Sequence, residues 1–218
     1  MTRNLTAIAL AACLVAGCST GGQKLTQSGF LGHQQPLQRA GKHKNAAFWV
    51  APTFHGAMYR RVVVAPVEWH APPREAAVQE QLTRKFHDAL TERLAGRYRI
   101  VEESDADAST LRVRAAITNV RRTRWYINAP AQVASSLTFG TVSLFAPLQG
   151  GASEEVQIED ARTGAVLAKL AAFRNGKPWN VKGSYVAYDH ARMAFAEAAR
   201  RLDEVLAGSI VAGQSDGR

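Results

Sequence analysis

Two cysteines, six histidines and 18 aspartates plus glutamates are the side chains of this 218-residue chain best suited to chemistry, and their spacing excludes most of it. His33, His43, His55, His70, His87 and His190 stand singly, none with a second ligand at metal-binding spacing, so they read as surface histidines and no metal is expected. Glu102, Glu103, Asp105 and Asp107 form the densest acidic cluster. It has the alternating D-x-D of a calcium loop without the glycine or the distal glutamate, and reads as a solvated turn between strands. No strand-to-helix nucleophile elbow, P-loop, H-E-x-x-H or strand-linked G-x-G-x-x-G is present. A hydrolase acting on cell wall or lipid needs a nucleophile paired with a base, and no such pair can be named. Catalytic residues, cofactors and enzymatic activity are therefore not expected.

The remaining reactive group is the thiol of Cys18. Arg3 precedes an apolar stretch from Leu5 to Ala16 that is too short to cross a bilayer and ends in small residues, the layout of a secretory leader over residues 1–17. Leu14-Val15-Ala16-Gly17-Cys18 resembles the lipobox of bacterial lipoproteins, where the leader is cut just before a cysteine that carries diacylglycerol. The resemblance implies lipidation of Cys18 with palmitate-type chains, and two or more such chains hold a protein durably where one is marginal. Ser19 follows; an aspartate there would favour the inner membrane, so Ser19 resembles the outer-membrane sorting rule and implies a periplasm-facing outer-membrane protein. Cys13 leaves with the leader and Cys18 is acylated, which leaves no thiol for a disulfide or a thiolate metal site. Loss of Arg3 lowers the formal net charge from +9 to +8.

From residue 18 to 60 the chain is rich in Gly, Gln, Ser, Lys and Pro and reads as a lipidated tether, with a reach of about 140 Å when extended and about 35 Å as a coil. Within it, Ser28-Gly29-Phe30-Leu31-Gly32 and Phe48-Trp49-Val50 read either as docking peptides or as apolar spots in a solvated linker. Residues 61–208 read as one α+β domain, and 209–218 as a polar tail. Arg61 to Val67 is a short β-branched run, as in a buried strand. A helix from Glu75 to Ala95 buries Val78, Leu82, Phe86, Ala89, Leu90 and Leu94, and a strand follows at Tyr98 to Glu102, giving a parallel strand–helix–strand crossover. Thr110 to Arg121 and Glu154 to Asp160 alternate; paired antiparallel, they set Arg112 and Arg114 against Glu155, Gln157 and Glu159 on an outward face. Asp160-Ala161-Arg162-Thr163-Gly164 is a hairpin turn into a strand at Val166 to Arg174, and a helix from Tyr188 to Ala207 packs an alanine-rich stripe on the sheet. The expected fold is thus a mixed sheet of about five strands with a β-hairpin and a C-terminal helix laid on it.

Trp125 to Ser153 holds no Asp, Glu, Lys, Arg or His. Its residues 131–146 read either as an apolar helix covering the sheet or as an insertion that touches a partner, a second copy or the membrane through Leu137, Phe139, Leu144 and Phe145. Together with Phe30 and Leu31 these are the candidate partner contacts. Arg121, Arg122 and Arg124 beside Trp125 are candidate contacts for an anionic envelope component such as lipopolysaccharide, phospholipid or cell-wall polymer, or else a solvated strand end. No nucleic-acid partner is expected in that compartment.

The lipobox, the Ser28-Gly29-Phe30-Leu31 opening, Arg61 to Val67 followed by Glu68-Trp69, Leu111 to Ile117, and Gly150-Gly151 before the DARTG hairpin occur in one order. On these the chain resembles a family of uncharacterised Gram-negative lipoproteins, departing from it at His33, where an acidic residue is expected. The resemblance implies an envelope protein of unknown function and carries over no catalytic residue. The D-x-x-T-G hairpin domain also looks like periplasmic accessory lipoproteins that dock on envelope machines, an analogy of fold. The reading from sequence is a non-enzymatic accessory lipoprotein that binds a protein partner or itself.

Overall fold

The β-branched run at Arg61–Val64 forms strand β3 at the parallel side of a mixed sheet. The computed structural model to which it belongs describes residues 25, 28–40, 43–122, 150–176 and 187–208. The other strands are β1 (Gln38–Ala40), β2 (His43–Val50), β4 (Glu68–Trp69), β5 (Arg99–Ile100), β6 (Thr110–Arg121), β7 (Gly151–Asp160) and β8 (Val166–Asn175). Their order is β1-β2-β8-β7-β6-β3-β5, with β4 also paired to β6. Helix α1 (Ala76–Ala95) carries the parallel crossover from β3 to β5, as its sequence period predicts. Helix α2 (Asp189–Leu206) closes the described fold. The five expected strands are present; β1, β2 and β4 are additional.

One sheet face takes both helices. Leu82, Phe86, Leu90 and Leu94, one turn apart on α1, meet Ala191, Ala194, Phe195, Ala198 and Leu202 of α2 over Val113, Ile117, Val156, Ile158 and Leu170. Phe86 stacks on Phe195 at 4.9 Å between ring centroids. Each fully buried Leu or Phe in this layer contributes about 1.5–3 kcal/mol relative to exposure, so the layer carries most of the fold's stability. Small alanines on α2 let the helix axis approach the sheet closely.

β6 and β7 run antiparallel with Arg112 opposite Glu159 and Val113 opposite Ile158, as the alternation predicts. Asp160 Oδ1 ties the hairpin by accepting from the backbone N–H groups of Arg162 and Thr163 and from the Thr163 hydroxyl. Gly164 takes a φ of +70° that a side chain would strain.

Two expectations need correction. Residues 38–40 and 43–50, read as tether, are sheet: β2 pairs β8 with Phe48 opposite Leu170 and Trp49 opposite Lys169. Phe48-Trp49-Val50 is therefore part of an integral strand, and no alternation shows because Ala46, Ala47 and Phe48 are buried in succession. Second, the face of β7 read as outward is buried, with Glu155, Gln157 and Glu159 all inaccessible. The segment that covers part of it defines the site.

Candidate functional site

The sheet face opposite the helices is built from Arg112 and Arg114 of β6, Glu155, Gln157 and Glu159 of β7 and Lys169 of β8, with small Ala47, Ala116 and Ala171 between them. Across it lies the strap, residues 28–37. The Ser28 backbone N–H and hydroxyl both donate to the Glu155 carboxylate, at 2.9 and 2.8 Å. Glu155 is 1% exposed. Three residues on, the Lys169 ammonium, 3% exposed, donates to the Leu31 carbonyl and to Gln35 Oε1. Burial lowers the Lys169 pKa, which makes these two acceptors its compensation for lost water. Leu31 is buried against the face.

Phe30 adds a third point of attachment. Its ring meets His70 edge-on at 5.5 Å and lies under the Arg114 guanidinium at 5.3 Å. Arg114 in turn donates to Glu68 at 2.8 Å, and Glu68 shares its other oxygen with His70 at 2.9 Å. The His70 hydrogen bond, with Arg114 adding to it, holds the Glu68 carboxyl below its ordinary range. The tight turn that lets Ser28 and Leu31 both face the sheet closes with Gly32 N–H donating to Gly29 O, both glycines at positive φ.

On the helix face a second polar group is buried without hydrogen bonds. Glu154, 2% exposed, has neither carboxylate oxygen paired, and His190, 1% exposed, has neither ring nitrogen paired. Burial drives the Glu154 pKa well up against the opposing pull of Arg174, and drives the His190 pKa down. Glu197 joins this layer to α2, pairing with Arg200 at 2.8 Å and Arg201 at 2.7 Å and facing Arg174 at 3.9 Å. His190 is thus a core residue rather than a surface one: it lies one helical turn before Ala194, on the stripe that faces the sheet.

A family model described as a protein of unknown function (DUF3313) matches residues 26–202. The chain belongs to the DUF3313 family. The DUF3313 match opens two residues before Ser28, so the strap is inside it, and it ends in α2. No curated protein matches the chain. Among solved structures, the PelC dodecamer from Paraburkholderia phytofirmans is similar over 70% of this chain and 94% of its own, at 14% identity and a TM-score of 0.41. The hypothetical protein CT253 from Chlamydia trachomatis matches over 69% and 99%, at 13% identity and 0.38. The lipoprotein GNA1162 from Neisseria meningitidis matches over 69% and 99%, at 11% identity and 0.33.

Within the DUF3313 domain the structure brings Phe30 and Leu31 together with Arg114, His70 and Lys169, partners that sequence spacing did not indicate. Arg121 is half-buried, its pKa lowered by burial, and its guanidinium donates to the Asn175 side chain. Arg122 is exposed at the end of β6. Cys18, Ser19, Arg124, Trp125, Leu137, Phe139, Leu144 and Phe145 lie outside the described residues. In the acidic cluster, Asp107 accepts from the Ser109 and Thr110 hydroxyls and the Ser109 N–H, which hold its pKa at about 2. Among the described residues no three His, Cys, Asp or Glu side chains are grouped to hold a metal ion, and no helix is long and apolar enough to cross a membrane.

Proposed function

We propose that this DUF3313 chain is a non-enzymatic envelope lipoprotein, anchored in the outer membrane through acylated Cys18, whose domain serves as a short-leashed accessory module for a protein partner or a second copy. The observation that supports this most is the double hydrogen bond of Ser28 on Glu155. It ties residue 28 to the sheet, well before residue 61 where the sequence reading begins the domain. At most ten residues then separate Cys18 from the first sheet contact, a maximum reach of about 35 Å. A module so close to the bilayer meets membrane-bound partners at high effective concentration. Exposed Arg122 supports a second reading, contact with an anionic envelope component.

Photo-crosslinking in cells from probes at Phe30, Leu144 and Arg122, with Cys18→Ala as control, tests the proposal. One specific protein, or a second copy, captured from Phe30 or Leu144 and lost in Cys18→Ala supports the accessory role. Capture of lipid or glycan from Arg122 alone overturns it in favour of the second reading.

A further inference from the structure

Contact with the sheet through a few polar points, a polar seat beneath and an anchor just upstream give the strap an unusual combination of properties. Its backbone takes no part in a strand ladder until β1 begins at Gln38. Between Ser28 and there, it is held by the Glu155 and Lys169 contacts, by Leu31 and by Phe30. The strap bends around a cavity of about 210 Å³ lined by its own Gly29, Leu31, Gly32, Gln35 and Leu37 among others, with Glu155 the one contribution from the sheet.

The seat differs from the helix face in what release would expose. Lifting α2 would bare a continuous apolar layer. Lifting the strap bares Glu155 and Lys169, polar groups that regain water, and one apolar side chain of its own, Leu31.

We propose that residues 28–37 are a releasable strap that switches the domain between a near and a far position relative to its membrane. This rests on anchoring at Cys18. Release of the strap adds residues 28–37, ten residues, to the leash that ends at Gln38. The maximum reach grows by about 35 Å. Any partner that competes for the seat, or pulls on the domain, lengthens the leash. The strap thereby couples occupancy of one sheet face to the distance the module can reach.

The test uses the full lipidated chain in phosphatidylethanolamine–phosphatidylglycerol vesicles with acceptor-labelled headgroups. A donor is placed on a cysteine introduced at Asp88, exposed on α1. Ser28→Pro removes both donors to Glu155 at a residue outside every strand and helix, and Glu155→Ala removes the acceptor. A chain with ten added Gly/Ser residues after Ser19 calibrates the far position. The expected result is lower energy transfer in both variants, toward the calibrating chain, with amide exchange across residues 28–37 faster by about tenfold or more. Unchanged transfer and exchange in Ser28→Pro overturn the strap. Failure of the unmodified chain to float with vesicles overturns anchoring instead, so the two claims fail separately.

Discussion

Ser28 and Glu155 lie 127 positions apart in the chain and meet through two hydrogen bonds, of 2.9 and 2.8 Å, on a carboxylate that solvent does not reach. Hydrogen bonds to a charged group contribute about 1.5–3 kcal/mol each, but Glu155 is rehydrated once the strap leaves. Glu155→Ala is therefore expected to lower global stability by only about 1–2 kcal/mol in urea denaturation, while cleavage by a protease in the 28–37 region accelerates. A loss above about 4 kcal/mol would mean that the strap is part of the cooperative core.

Lys169 separates charge from shape. Lys169→Met keeps the stem, removes the buried ammonium and leaves the Leu31 carbonyl without its donor; these effects oppose each other, and a net change within about 1 kcal/mol is expected. Lys169→Glu places a carboxylate against that carbonyl and should cost about 3 kcal/mol or more. Equal midpoints for the two variants would contradict the assigned contact.

Glu154 gives a pH signature of defined sign. Its folded pKa lies above its ordinary 4.5, so the unfolded chain ionises first and the stability it lends at low pH is lost as pH rises toward the folded value. His190, depressed by the same burial, acts oppositely, costing stability as pH falls below its ordinary 6.5. Comparing Glu154→Gln with the native protein cancels the histidine. Stability of the variant relative to native should grow as pH rises above 4.5 toward the folded value, by up to about 1.4 kcal/mol per pH unit. A difference that does not change with pH would refute the raised carboxyl.

Gly151 opens β7 at φ +137°, where a Cβ would stand 2.2 Å from the Arg174 carbonyl oxygen. Backbone, not a movable side chain, blocks the space. Gly151→Ala should cost about 3 kcal/mol or more, read as a fall in the thermal midpoint, whereas Gly164→Ala, whose Cβ meets open space, should cost only its backbone strain of about 1 kcal/mol.

Elements with one dry face were legible in the sequence. α1 and α2 show a helical stripe, and β6 and the hairpin show alternation and an Asp-to-Gly turn, because burial on one side imposes a period. β2 was missed because Ala46, Ala47 and Phe48 are buried in succession on alternate faces, which leaves no alternation, and β4 is too short to show a period. Glu154 was in phase with Val156 and Ile158, and His190 was one turn from Ala194; the periodicity placed both inside, but their polarity argued against it. The strap motif Ser-Gly-Phe-Leu stood out, but its sequence fits a docking peptide and an apolar spot in a solvated linker equally. Its seat was not legible, since a carboxylate and a lysine on a strand read as solvated until a distant segment covers them.

Mass spectrometry of the mature N-terminus, taken from chain isolated in outer-membrane fractions, tests the central claim most directly. The account predicts Cys18 as the first residue, carrying two or three acyl chains, and loss of membrane association in Cys18→Ala. A mature chain beginning elsewhere, or an unacylated Cys18 on a membrane-bound protein, would contradict it.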